Sequence, residues 1–105
     1  MFLNPQLVEQ IRSAVYSVEP DAKIFLYGSY ARGDFHAESD IDLLVLVKKN
    51  SITLQEEKAI RYSLYDLEID TDTIISPIIR TENNWAERSY LTSLFENIQT
   101  DGVLL

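Results

Sequence analysis

The stretch Leu26-Tyr27-Gly28-Ser29-Tyr30-Ala31-Arg32-Gly33-Asp34, followed by Ser39-Asp40-Ile41-Asp42-Leu43-Leu44-Val45, decides how the rest of the chain is read. A short apolar run ends in a turn of two small residues, Gly28-Ser29. Ten residues separate that turn from Asp40-Ile41-Asp42, which opens a second apolar run. The pattern is strand, tight turn, irregular link, then a strand carrying two acids. Side chains alternate across a strand, so Asp40 and Asp42 share a face with Cα atoms about 6.5–7 Å apart. Ile41, Leu43, Val45 and Val47 take the other face, which is uniformly apolar and anchors the strand.

Two carboxylates at that spacing suit hard, oxygen-preferring cations such as Mg²⁺. Gly28 lets a backbone N–H approach a phosphate closely, and Ser29 adds a hydroxyl donor. Metal-binding acids opposite a phosphate-sized turn are the parts of a nucleotidyl-transfer site, in which metals clamp a triphosphate and steady the leaving pyrophosphate. The bland alternative makes Asp40 a turn cap and Asp42 a solvated strand residue.

Gly-Ser, ten residues and Asp-x-Asp together resemble the DNA polymerase β-like nucleotidyltransferase superfamily. The fuller string, Gly28-Ser29-Tyr30-Ala31-Arg32-Gly33 with Ser39-Asp40-Ile41-Asp42-Leu43, resembles its smallest branch, the minimal nucleotidyltransferases (MNT). The resemblance runs from Lys23 to the C-terminus. Turn, spacing, paired acids and flanking apolar strands agree with one another, which a lone Gly-x-Gly does not offer.

The whole chain bounds this reading. Its 105 residues, 46% of them apolar, read as a single domain, 1–105. No apolar run is long enough to span a bilayer, and no signal-peptide pattern opens the chain. There is no cysteine, so disulfides and thiolate metal sites are excluded. The expected location is cytoplasmic. A formal charge of −8 suits a metal–nucleotide ligand or a basic protein partner better than a long polynucleotide.

Taken in order, Asn4-Pro5 reads as a helix start, with Leu7, Ile11, Ala14, Val15 and Val18 at helical spacing and Glu19-Pro20-Asp21 as its end. Ile24 to Tyr27 is a short apolar strand. Arg32 either reaches a nucleotide phosphate or pairs with Asp34 or Glu38. His36, the single histidine, reads as a solvated or loop-pinning residue. Lys48 and Lys49 read as solvated charges at a strand end, with triphosphate binding as the lesser alternative. Thr53-Leu54-Gln55-Glu56 fits a capping box, and a helix to about Leu67 turns Leu54, Ile60, Leu64 and Leu67 inward. A third strand is predicted from Asp72 to Ile79, with Pro77 indicating an edge or a bulge. Thr81 or Asn83 caps a last helix, whose Trp85, Leu91, Leu94, Phe95 and Ile98 form an apolar stripe. That stripe is core or, in part, a partner surface. Gly102 is free to take positive φ at its end. Val103-Leu104-Leu105 is an apolar tail suited to an edge strand or to docking on a neighbour.

Alternating helix and strand signals predict an α/β fold, an α+β sandwich of three to four strands. The resemblance implies a small mixed β-sheet with helices mainly on one face and Ser29, Asp40, Asp42 and Asp72 on the open face. It also implies a third carboxylate beside the pair. Asp72 is the first choice and Asp70 the second, since both lie on one face of an extended chain. The implied catalytic and metal residues are Asp40, Asp42 and Asp72, holding two Mg²⁺, and the implied nucleotide-binding residues are Gly28, Ser29 and Arg32. The implied activity moves a nucleoside monophosphate, AMP from ATP or the equivalent from another NTP, to an acceptor hydroxyl. With no appended helical domain expected, the acceptor is small or supplied by another protein. MNT proteins often pair with a helical HEPN toxin, and some adenylylate a tyrosine on it. The alternatives are a binding module that neutralises such a partner by contact, or a nucleotide sensor without turnover. A homo-oligomer is left open.

Overall fold

The structure is a computed structural model that describes residues 3–88 and 93–105. Asn4 opens α1 (Pro5–Tyr16), its side-chain oxygen accepting from the Gln6 N–H at 2.8 Å with Pro5 in the first turn. β1 (Lys23–Tyr27) leads through Gly28 into a single helical turn, α2 (Ser29–Arg32). β2 (Ile41–Val47) follows, then the long α3 (Leu54–Thr71), β3 (Ile75–Thr81), α4 (Glu82–Arg88), α5 (Ser93–Asp101) and the two-residue β4 (Val103–Leu104). The expected Leu91 of the last apolar stripe lies outside the described residues.

The four strands form one mixed sheet in the order β3-β2-β1-β4. β1 is antiparallel to both β2 and β4, and β2 is parallel to β3. The crossover a parallel pair requires is supplied by α3. Pro77 lies on β3, an edge strand, where a missing N–H is tolerated. The apolar tail becomes the other edge, with Leu104 opposite Phe25.

One face of the sheet carries the main core. Ile41, Leu43, Val45 and Val47 of β2 and Ile24 and Leu26 of β1 meet Val8, Ile11 and Val15 of α1 and Ile60, Leu64 and Leu67 of α3. Each such side chain withdrawn from water contributes about 1.5–3 kcal/mol before entropy is counted. The opposite face is open at its acidic end. Further along, Leu44 and Leu46 are covered by Ile98 of α5, with Trp85 of α4 and Leu94 alongside.

α3 runs on to Thr71, so the acidic run Glu68–Asp70 is helix. Acids at a helix C-terminus oppose the helix dipole, which is why that run reads as non-helical. Here Glu68 turns its carboxylate to accept from the Ile75 N–H at 2.8 Å, the Thr71 hydroxyl donates to the Leu67 carbonyl, and β3 begins only at Ile75. Leu54 is exposed, because it lies on the side of α3 opposite the core residues Ile60, Leu64 and Leu67. Lys49 is not merely solvated. Its ammonium pairs with Glu19 at 2.9 Å and with Glu56, tying the end of α1 to the start of α3. Gly102 does not use positive φ; a Cβ there would run into the Ile98 carbonyl.

Candidate functional site

The open end of the second face is built by three neighbouring strand ends. β1–β2 register sets Tyr27 opposite Asp42, so the chain turns at Gly28 beside the acids. Gly28 has φ 76°, a left-handed value that side chains disfavour, and a Cβ there would run into the Asp42 carboxylate. The turn and the acid are therefore fitted to each other at van der Waals range. β2–β3 register places Ser76 beside Asp42, and the Ser76 hydroxyl donates to Asp40 Oδ2 at 3.0 Å.

Asp40 is exposed and Asp42 half-buried. Burial, and then the neighbouring Asp40 charge, push the Asp42 carboxyl above its ordinary range, while Arg32 opposes the rise. The same acid and, above all, burial push the Tyr27 phenol up to about 12. Two repelling carboxylates, one partly desolvated, form an oxygen donor set that fits a divalent cation such as Mg²⁺.

Arg32 donates from Nε to Asp34 Oδ2 at 3.1 Å and forms a 3.6 Å ion pair with Asp101 at the end of α5. The expected Asp34 pairing is present, and the Arg32 charge also acts on Asp42. His36 pins the link. Its N–H donates to Ser39 Oγ at 2.8 Å, and its Nδ1 accepts from the Glu38 N–H at 3.3 Å. Tyr30 stacks on Phe35 with ring centroids 4.5 Å apart.

Asp72 is not a strand residue. It ends α3 in the left-handed region, φ 53°, with its N–H donating to the Glu68 carbonyl. It lines a cleft with Tyr30, Glu38, Ile74 and Ser39, the residue that precedes Asp40 in the chain. Among the described residues, no group of three or more His, Cys, Asp or Glu side chains stands together to hold one metal ion. Asp72 is thus not gathered with the pair, and the β3 position beside Asp42 belongs to Ser76. Asp70 lies in the groove between α1 and α3, with Glu9 and Asp66. The expected shared face of Asp70 and Asp72 fails because the chain there is helical. Ser76 and Asp101 also belong to the site, through Asp40 and Arg32 respectively. No local signal marks either, because each reaches the site only through strand register or the path of α5.

This fold and its acidic turn are those of a nucleotidyltransferase. The family model described as "Nucleotidyltransferase domain" matches residues 8–97. The chain belongs to that family, and it is a nucleotidyltransferase enzyme. It is similar to MJ0141 of Methanocaldococcus jannaschii, named as a candidate protein adenylyltransferase. The two are 32% identical over 101 residues, covering 93% of this chain and 94% of that protein. A bifunctional uridylyltransferase/uridylyl-removing enzyme of Pseudoalteromonas translucida is 28% identical over 99 residues, with 91% of this chain matching 11% of that enzyme. Among solved structures, a toxin-antitoxin crystallised with AMP-PNP superposes with a TM-score of 0.65 at 21% identity, over 97% of this chain and 72% of that one. A mutant of the toxin-antitoxin MntA-HpeT superposes with a TM-score of 0.60 at 23% identity, over 98% and 72%. These two likenesses concern the fold. No helix among the described residues is long and apolar enough to cross a membrane.

Proposed function

We propose that the chain transfers AMP from ATP to a hydroxyl of a partner protein, and that the partner is a helical HEPN-type toxin modified on a tyrosine. The observation that carries the reading is the Asp40–Asp42 pair set against the Gly28 turn, where a side chain would displace Asp42. The name of MJ0141 supports a protein acceptor, and the resemblance to MNT proteins supports the toxin.

Asp40 and Asp42 would hold Mg²⁺, which when bound neutralises triphosphate charge and steadies the departing pyrophosphate. Gly28 and Ser29 offer the triphosphate a backbone approach and a hydroxyl donor. Arg32, exposed beside Asp42, adds a positive charge that survives at any physiological pH. The acceptor oxygen forms a bond to the α-phosphorus as the bond to the bridging oxygen breaks, and the electron pair leaves with pyrophosphate. Asp72, in the cleft beside Ser39, takes the acceptor proton. Ser76 holds Asp40 in place.

A second reading is favoured by one observation. β3 offers Ser76, not an acid, beside Asp42, which suits a module that binds nucleotide and neutralises its partner by contact.

The test is transfer of label from α-labelled ATP, with Mg²⁺, to a co-expressed partner. Asp40→Asn with Asp42→Asn should abolish labelling. Asp72→Asn should keep nucleotide binding and lose transfer, and asparagine suits the left-handed helix cap as well as aspartate does. Full transfer by Asp72→Asn removes it from the chemistry. Suppression of the partner without label favours the contact reading.

A further inference from the structure

The inner face of α3 is used up by the core, yet its outer face is also apolar. Leu54, Tyr62, Tyr65 and Ile69 are 67%, 58%, 57% and 80% exposed. With Lys58 they recur at spacings of four, four, three and four residues, which puts them in one stripe. Ile60, Leu64 and Leu67 face the opposite way, into the core. The stripe runs about 22 Å along the helix. A solvated helix carries charged residues on such a face, and an exposed apolar stripe of this length marks an interaction surface.

Charge along the stripe is divided by its midpoint. Lys58 stands in the N-terminal half and has no ion-pair partner among the described residues. Asp66, exposed, borders the C-terminal half. A second α3 laid parallel would set Lys58 on Lys58 and Asp66 on Asp66. Laid antiparallel, with the two-fold axis between Tyr62 and Tyr65, it sets Tyr62 of each copy against Tyr65 of the other. Lys58 then falls over Ile69 of the other copy, one turn from its Asp66. Antiparallel helices also align their dipoles favourably, and a two-fold contact needs a surface of this kind, complementary to itself.

We propose that the outer face of α3 joins two copies of this chain in an antiparallel, two-fold dimer, with Tyr62 and Tyr65 at its centre and Lys58–Asp66 pairs at its ends. The surface lies across the main core from the Asp40–Asp42 face, so the dimer leaves the candidate site open.

Sedimentation of the full chain alone, with circular dichroism to check folding, tests it. The wild type should show twice the mass of the chain and dissociate on dilution. Lys58→Glu and Asp66→Lys should each weaken the dimer tenfold or more, because each sets like charges together. The double variant Lys58→Glu with Asp66→Lys should restore it, since the pairs return with reversed sign. Tyr62→Asp should give a folded monomer. A wild type that stays monomeric at high concentration overturns the proposal. So do single variants that dimerise normally, or a folded double variant that remains monomeric. Burial of Tyr62 and Ile69 only in the presence of a different protein would also overturn it, giving the stripe to that partner. None of these readouts involves nucleotide, so a failed dimer and a failed transferase are told apart.

Discussion

Gly28 and Asp42 act as one unit. At φ 76° a residue with a Cβ is strained, and here the Cβ would also drive the Asp42 carboxylate aside. Gly28→Ala should therefore cost more than about 1 kcal/mol of stability and also remove divalent-cation-dependent nucleotide binding, seen by melting and by calorimetry. Asp42→Asn separates those two effects. With its carboxyl raised by burial and by Asp40, ionised Asp42 opposes folding. Its effect on stability is most favourable below the unfolded value near 3.8 and is lost as pH rises through the raised folded value. At neutral pH, Asp42→Asn should accordingly melt higher than wild type without ligand, by a fraction of the roughly 4–8 °C that 1 kcal/mol moves a domain of this size. It should also bind no Mg²⁺-dependent nucleotide. In the wild type, cation affinity should begin to fail at a higher pH than for an ordinary aspartate. A lower melting temperature for Asp42→Asn would show that the carboxylate serves the fold.

At the scale of elements, α3 carries both the core and the outward stripe, so its ends matter. Its N-terminus is closed by a capping box, Thr53 Oγ1 accepting from the Glu56 N–H and Glu56 Oε1 from the Thr53 N–H, both at 3.1 Å. Lys49, first, and then the Thr53 groups hold the Glu56 carboxyl down at about 2. Glu19, buried at the end of α1, is satisfied by the same ammonium. Thr53→Ala should lower stability by about 1 kcal/mol, measured by urea unfolding. Glu56→Gln should flatten the acid limb of the stability profile. The contribution of Glu56 is present above its unfolded value near 4.5 and lost as pH falls towards 2. An unchanged acid limb would assign that limb to other carboxylates.

For the whole molecule, the sheet separates two kinds of work. One face is sealed by α1 and α3, and the other is half covered by α4 and α5, with the acids at its uncovered end. Tyr27 stands at the boundary, packed against the second cluster and opposite Asp42 in register. Its phenol, normally near 10, is raised to about 12, so the fold favours the neutral form. That stability is complete below pH 10 and lost as pH rises towards 12. Tyr27→Phe should resist alkaline unfolding in that window better than wild type, followed by circular dichroism. Equal alkaline limbs would mean that Tyr27 ionises freely in the folded state.

The sequence by itself determined the paired acids, the turn before them and the helix starts at Asn4 and Thr53. Each of these depends on a few adjacent residues: φ/ψ preference, a side chain reaching two or three positions along, or the two-residue alternation of a strand. The same local reasoning placed Pro77 on an edge and Ile60, Leu64 and Leu67 in the core. Tertiary structure decided what surrounds the acids. Ser76 stands beside Asp42, and reaches Asp40, only because β2 and β3 pair in a particular parallel register. Asp101 reaches Arg32 only because α5 returns over the second face. Asp72 left the expected strand because Glu68, Thr71 and the start of β3 satisfy one another and extend α3 by a turn. Register and crossover are fixed by the total burial of elements far apart in the chain, a sum to which no short window of sequence has access.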